Sequence, residues 1–175
     1  MVRCWPMADD APRIRPALRS DLPAILAVYN ASIPLHVATA DLEPQGMEAR
    51  EKWWDERDHA ARPVLVAERG GGVVGWGAFT DFKSRAAYRP TAEISIYVDP
   101  AALGRGIGTA LLDALLARAA GCRIDRIVAL CLDHNERSLR LFRSRGFTEW
   151  GRMPDACEFA GVRRSVVLLG KSVPG

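Results

Sequence analysis

The clearest candidate for chemistry is a glycine-rich stretch that follows a predicted strand. Residues 104–109 read GRGIGT, at the start of a predicted helix. Glycines let the backbone approach a ligand closely, and the N–H groups at a helix N-terminus attract anions. The stretch therefore predicts a pyrophosphate site, and the alternative is a tight turn that only begins a helix. Its spacing matches neither G-x-G-x-x-G nor G-x-x-x-x-G-K-[ST], which excludes dinucleotide-binding folds and P-loop NTPases.

Glu93 is the candidate acid–base residue. It lies in a predicted strand, 91–98, whose even-numbered residues are apolar, while Glu93 shares the opposite face with Ser95 and Tyr97. A half-buried carboxylate beside an amine can remove its proton, directly or through water, and so produce the neutral nucleophile that acyl transfer needs. The alternative is a strand residue that faces water.

Cationic residues precede Glu93 in a predicted polar loop, at Lys83, Arg85 and Arg89. Such groups can bind a carboxylate and a second acidic group on an amino-acid substrate. Tyr88 lies between them and is placed to close over the substrate. For each cation, a solvated loop residue is the alternative interpretation.

Composition limits the classes of protein that fit. The 175 residues carry 24 Lys+Arg against 21 Asp+Glu and are 49% hydrophobic, which is typical of one globular domain. No run of like charges predicts a nucleic-acid surface. Four cysteines and three histidines lack zinc spacing, so we expect no metal. Because neither a signal-peptide pattern nor a long apolar stretch is present, we expect a cytoplasmic protein that does not enter membranes.

Hydrophobic periodicity predicts the elements that position these residues. Helices are expected near 22–29, 46–57, 106–120 and 137–145, and strands near 13–15, 64–67, 73–79, 91–98, 124–132, 147–151 and 162–169. An antiparallel group of strands followed by a strand–helix–strand–helix group predicts an α/β fold with one mixed sheet flanked by helices. Residues 1–12 are expected to be a flexible leader and residues 13–172 a single domain.

Two segments resemble signatures of the GCN5-related N-acetyltransferase (GNAT) superfamily. Residues 104–112 resemble its pyrophosphate loop, and residues 135–147 resemble its second signature. Residues 82–98 resemble the phosphinothricin and methionine sulfone acetyltransferase branch, and residues 29–30 and 43–45 agree with that branch. The resemblance extends from residue 13 to about residue 170.

The resemblance implies a GNAT fold with a mixed, mostly antiparallel sheet, acetyl-CoA as co-substrate and a homodimer. It implies a small acceptor such as phosphinothricin or a methionine sulfone or sulfoximine, whose amine attacks the thioester directly. Glu93 would be the catalytic base, and Lys83, Arg85 and Tyr88 would bind the acceptor together with Glu93. The implied acetyl-CoA-binding residues are Ile96, Tyr97, Val98, Gly104, Arg105, Gly106, Ile107, Gly108, Thr109, Asn135 and Ser138.

The backbone is expected to do much of the binding. The pantetheine arm of acetyl-CoA would lie where the sheet splays near Val98, pairing as a missing strand would. Backbone N–H groups near Tyr97 and Val98 would stabilise the developing oxyanion. Asn135 would hydrogen-bond a pantetheine amide; the alternative is that it caps a helix, with Ser138 as a rival cap.

Two positions depart from the superfamily pattern. Leu103 replaces a usual Gln or Arg beside the loop, and Phe142 replaces a proton-donating residue near the thioester sulfur. Other amines, such as a polyamine or a protein N-terminus, are alternative acceptors, although the cationic loop disfavours a polycation. A non-catalytic acyl-CoA-binding module is a further alternative. Glu93 disfavours it, because such a module has no use for a carboxylate there.

Overall fold

The structure is a computed structural model that describes residues 11–174. Within them the strands are β1 (Arg13–Pro16), β2 (Val64–Arg69), β3 (Gly72–Asp81), β4 (Thr91–Val98), β5 (Arg126–Leu132), β6 (Thr148–Phe159) and β7 (Val162–Ser172). The α-helices are α1 (Leu22–Ser32), α2 (Met47–Asp55), α3 (Ile107–Leu116) and α4 (Glu136–Arg143). Most of the predicted leader lies outside the described residues.

All seven strands form one sheet in the order β1-β2-β3-β4-β5-β7-β6. Neighbouring strands pair antiparallel except β4 and β5, which pair parallel. The parallel pair is connected through α3, as a parallel connection requires a crossover. The predicted α/β fold with a mixed, mostly antiparallel sheet flanked by helices is confirmed.

Helices cover both faces of the sheet, each with its own hydrophobic core. On one face, α3 and α4 bury Leu111, Leu115 and Phe142 against alternate residues of β2 to β5 and β7. On the other face, α1 packs on Trp76 and Ala78 of β3, with α2 at the edge of that core. Because strand side chains alternate between faces, β4 contributes to both cores.

The sheet opens between β4 and β5. Their pairing covers only Thr91 to Glu93 on β4 and Arg126 to Val128 on β5. Beyond Glu93, β4 keeps its antiparallel partner β3 as far as Val98, but its other edge is unpaired. The expected splay is therefore present and begins directly after Glu93.

Two predicted element boundaries were wrong. The helix expected over 106–120 ends at Leu116, because Arg118 and Ala119 donate their backbone N–H groups to carbonyls three residues back, as in a tighter turn. Strand β6 continues to Phe159 rather than ending at residue 151, and its two register irregularities and mostly exposed side chains hide the alternation that predicts a strand.

Candidate active site

A cleft of about 750 Å³ lies where β4 and β5 separate. Its walls are the open edge of β4, the glycine stretch with the first turn of α3, the start of α4, and the loop after α1. Most of the predicted acetyl-CoA-binding residues line it, namely Ile96, Tyr97, Val98, Gly104, Gly106, Ile107, Gly108, Thr109, Asn135 and Ser138. Arg105 is exposed and does not line the cleft.

The glycine stretch has the backbone geometry of an anion site. Gly104 and Gly106 have φ of 79° and 76°, a region that favours glycine, and nothing lies within 4 Å of where their Cβ atoms would be. Gly106 is the N-cap of α3, and no side chain caps this N-terminus. Its first N–H groups therefore remain available to an anion. The glycine stretch and the first N–H groups of α3, together called the glycine cradle below, fit the pyrophosphate of a CoA thioester.

The open edge of β4 offers selected backbone groups to the cleft. Asp99 donates its N–H to Val74 on β3. In an antiparallel ladder hydrogen-bonded pairs alternate, so Tyr97, which lies opposite Trp76, also bonds to β3. The N–H groups of Ile96 and Val98 therefore point toward the open edge. Of the two expected oxyanion donors, only Val98 has the required direction.

The backbone of residues 36–37, called the strap below, closes one side of the cleft. The Nδ2 atom of Asn135 donates to the Val37 carbonyl at 2.7 Å, and His134 Nε2 lies 2.8 Å from the His36 carbonyl. Asn135 Oδ1 also accepts from the Ser138 N–H at 3.1 Å, so Asn135 caps α4 as well. The capping alternative is thus observed for Asn135, while Ser138 supplies the capped amide.

Glu93 lies on the face of β4 that packs toward α1 and α2. It is paired in register with Thr80 on β3 and Val128 on β5, at the last ladder position before the splay. Burial raises the pKa of its carboxyl above the ordinary value, and the positive charge of Lys83 acts in the opposite direction. A raised pKa makes the carboxylate a better proton acceptor near neutral pH.

The predicted acceptor-binding loop lies outside the cleft. Lys83 is close enough to Glu93 to affect its pKa, and its ammonium lies 5.0 Å from the Phe82 ring centre. The Phe82 and Tyr88 rings make an edge contact at 5.9 Å. Lys83, Arg85 and Tyr88 are all exposed. The structure therefore brings Lys83 toward Glu93 and leaves Arg85 and Tyr88 at the surface.

The two positions that depart from the superfamily pattern are apolar walls of the cleft. Leu103 and Phe142 both line it. Phe142 is buried and makes an edge contact with Phe147, with 5.1 Å between ring centres. Neither side chain can donate a proton or bind a phosphate.

Sequence reasoning missed a buried polar network behind Tyr97. Burial raises the pKa of the Tyr97 phenol, so that it stays neutral at physiological pH, and its ring stacks on Trp76 at 4.8 Å. Beside it, Tyr29 donates to Asp41, Gln45 Nε2 donates to the same carboxylate, and Arg50 donates to Gln45 Oε1, at 2.7–2.8 Å. The network ties the loop that follows α1 to the side chains of α1 and α2. Only the resemblance at residues 29–30 and 43–45 gave any signal of it.

Comparison with known proteins identifies the family. The model of the acetyltransferase (GNAT) family matches residues 25–147, which include the glycine stretch, Glu93 and the start of α4. The chain belongs to the GNAT acetyltransferase family. As a GNAT protein it is an N-acetyltransferase with acetyl-CoA as co-substrate, and the glycine cradle fits that role.

Several relatives of this GNAT chain are named after amino-acid-like acceptors. A Bacillus subtilis protein provisionally named a phosphinothricin acetyltransferase is 40% identical over 91% of this chain and 98% of its own. An L-methionine sulfoximine/L-methionine sulfone acetyltransferase of Pseudomonas aeruginosa is 36% identical over 81% of this chain and 83% of its own. A Sinorhizobium meliloti phosphinothricin acetyltransferase, solved with acetyl-CoA, is 28% identical with a TM-score of 0.89, covering 93% of this chain and 89% of its own.

The described part of the chain contains neither a group of three metal-ligating side chains nor a helix long and apolar enough to cross a bilayer.

Proposed function

We propose that this GNAT enzyme acetylates the α-amine of a small amino acid that carries a second acidic or strongly polar group. Phosphinothricin, methionine sulfone and methionine sulfoximine are acceptors of this type. The observation that carries the proposal is the half-buried Glu93 carboxylate, at the point where β4 leaves β5 and next to the cationic Lys83 loop. The names of the relatives support this class of acceptor.

Glu93 is the proposed base. The α-amine of an amino acid is mostly protonated at neutral pH, and it cannot attack a thioester until it loses a proton. Acetyl-CoA supplies the thioester carbonyl, held by the glycine cradle and the open edge of β4. The Val98 N–H would face the negative charge that develops on the carbonyl oxygen. Since no hydrogen bond joins Glu93 to a cysteine or serine among residues 11–174, we propose direct attack without an acyl-enzyme, with CoA leaving as its thiolate.

Lys83 and Arg85 are the proposed clamp for the acidic groups of the acceptor, with Tyr88 closing over it. A cationic clamp favours an acceptor with carboxylate and phosphinate or sulfone oxygens, and it repels a polyamine. Because these side chains are exposed, a ligand has room to bind between them. The same loop precedes Glu93 on the chain, so clamped acidic groups would place the amine near its base.

The clamp has a kinetic test. Replacing Lys83 or Arg85 by Ala should raise the KM for methionine sulfone about tenfold or more and leave the KM for acetyl-CoA nearly unchanged. Arg126→Ala is the matched control, because it removes an exposed arginine of the same sheet whose partner is the neighbouring Asp125. Equal increases in both KM values, or an equal effect of the control, would remove the clamp from the proposal.

We also propose that the protein is a cytoplasmic homodimer, in which each protomer consists of one catalytic domain, residues 13–172. On the face of the sheet that carries α1 and α2, these helices leave part of β5 to β7 uncovered. This uncovered part carries three apolar side chains that are each more than 40% exposed, Leu130, Trp150 and Met153. Ladder partners place Leu130 and Met153 on that face, and Trp150 lies over Gly170 on the same face. Contact with a second copy would remove this apolar surface from water.

A further inference from the structure

A second cavity, of about 740 Å³, lies beside the N-terminal end of β4, whereas the cleft lies beside its C-terminal end. It is formed by the end of α2 and the turn after it, the end of β3, the entry to β4, and the turn between α3 and β5. Its lining residues are Trp53, Glu56, Arg57, Asp58, Ala61, Arg62, Thr80, Asp81, Arg89, Pro90, Cys122 and Arg123. Four guanidinium groups therefore surround one cavity.

Arg57 is a half-buried cation that forms no ion pair with an acidic side chain among the described residues. Its guanidinium stacks on the Trp53 ring at 4.1 Å, and Nη1 donates to the carbonyls of Arg62 and Phe79. Its Nε is buried and has no hydrogen-bond partner. Burial, with the nearby charges of Arg50 and Arg62, lowers the pKa of Arg57 to about 10, and the charge of Asp81 acts in the opposite direction. An anion would relieve this excess of positive charge.

Arg62 lines the same cavity, but its guanidinium has an acidic partner and further hydrogen bonds. Its Nε donates to Asp81 at 2.7 Å, and its other nitrogens donate to the carbonyls of Ala61 and Arg89. Its side chain is 9% exposed. Arg62 and Asp81 therefore neutralise each other and form a fixed wall.

The remaining charges leave a net positive cavity. Within residues 11–174, Arg89 and Arg123 are exposed and form no ion pair. Of the acids on the wall, Glu56 lies 3.8 Å from Lys52, whereas Asp58 accepts backbone N–H groups of Ala60 and Ala61 and keeps its negative charge. The lining therefore carries four arginines against the three carboxylates of Glu56, Asp58 and Asp81. Three guanidiniums thus face the cavity without carboxylate partners.

We propose that the second cavity binds a small, multiply charged oxyanion, with Arg57, Arg89 and Arg123 supplying the donors. Guanidinium groups recognise carboxylate and phosphate oxygens in pairs, and three of them around one cavity suit a ligand with several such oxygens. The site is separate from the acetyl-CoA cleft. It does not depend on the identity of the acceptor, and its occupancy can be measured without following acetyl transfer.

Isothermal titration calorimetry tests the site directly. Citrate and inorganic phosphate are titrated separately into the protein saturated with CoA, so that the glycine cradle is already filled. Binding of citrate alone would assign the site to a carboxylate ligand, and binding of phosphate alone to a phosphate ligand; either supports the proposal. Binding of neither would overturn it.

Variants locate the binding. Arg123→Gln and Arg89→Gln should each weaken the bound anion roughly tenfold, about the effect of one charge-assisted hydrogen bond. Both side chains are exposed, so these variants keep the fold, whereas Arg57→Gln also removes packing on Trp53. The matched control is Arg126→Gln, which removes a neighbouring exposed arginine that does not line the cavity. An equal loss with the control would show a general charge effect and overturn the site.

Discussion

At the scale of single residues, the alternation of side chains along β4 determines the face on which Glu93 lies, and burial raises the pKa of its carboxyl. The face it would occupy follows from the apolar even-numbered residues of β4, and the structure has it on that face. The rise in its pKa comes from burial in the folded protein, which the alternation along one strand does not specify, and the charge of Lys83 opposes it. Spacing therefore predicted the candidate, and the fold supplied its environment.

Replacing Glu93 by Gln keeps the size of the side chain and removes the proton acceptor. General-base assistance is worth about 10²–10⁴-fold, so kcat/KM near pH 7 should fall by that factor. The loss should shrink as pH rises, because the amine then deprotonates without help. Initial rates of thiol release across pH measure it. An unchanged pH profile would remove Glu93 from the mechanism.

Stability supplies the control for that variant. Because the folded-state pKa of Glu93 is raised, the folded protein holds its proton more tightly than the unfolded chain does. The free energy of unfolding should therefore fall as pH rises from the ordinary pKa of a glutamate through the raised one. Glu93→Gln removes this loss and should be at least as stable as the wild type at pH 7. A rate loss in such a protein cannot come from unfolding.

At the scale of elements, the turn into α3 is the part of the site that the sequence predicts best. Glycines at 104, 106 and 108 mark it, and the two positive φ angles explain Gly104 and Gly106. At Gly108 a larger residue is disfavoured by packing instead, because a Cβ there would lie 3.3 Å from the Leu141 side chain in the cleft wall.

Gly106→Ala should weaken CoA binding about tenfold or more, since the new methyl group projects into open space where the pyrophosphate is expected. Gly161→Ala is the matched control: it has a φ of 81° and an equally open surrounding, in the turn between β6 and β7. Both variants should lose about 1–2 kcal/mol of stability to the left-handed backbone. Calorimetry with CoA separates them, and equal affinities would contradict the cradle.

The strap across the cleft could not be predicted from the sequence. Its two hydrogen bonds each join residues 98 positions apart, so nothing near the donors in the sequence indicates their acceptors. Residues 32–44 lie between the first two predicted helices, where the sequence predicts no helix or strand. Long-range contacts of this kind become visible once the sheet brings the end of β5 beside the loop after α1.

Asn135 has two contacts that variants can separate. Asn135→Asp keeps the oxygen that caps α4 but places a carboxylate against the Val37 carbonyl, so it should raise the KM for acetyl-CoA with little loss of helix stability. Asn135→Ala loses both contacts and should also lower stability by about 1 kcal/mol. Thermal unfolding and KM, measured together, distinguish the two. An unchanged KM in both variants would leave the strap without a role in binding.

At the scale of the whole molecule, the order of elements predicted the class of fold, and the resemblance predicted the splay. What the sequence did not provide is the placement of α1 and α2 on one face, which leaves β5, β6 and β7 partly uncovered there. The irregular, mostly exposed β6 was predicted too short for the same reason, since its side chains face solvent rather than a core. The cleft and the second cavity both form between segments far apart in the chain.

Acetylation of small amino acids with a second acidic or strongly polar group can be measured directly. Free thiol released from saturating acetyl-CoA should be measured with methionine sulfone, with spermidine, and with N-acetylmethionine sulfone, whose blocked amine makes it the matched control. We expect kcat/KM for methionine sulfone to exceed that for spermidine by roughly a hundredfold, about the contribution of one to two charge-assisted contacts, and the control to release no thiol. Equal rates with spermidine and methionine sulfone, or no release with methionine sulfone, would contradict the account.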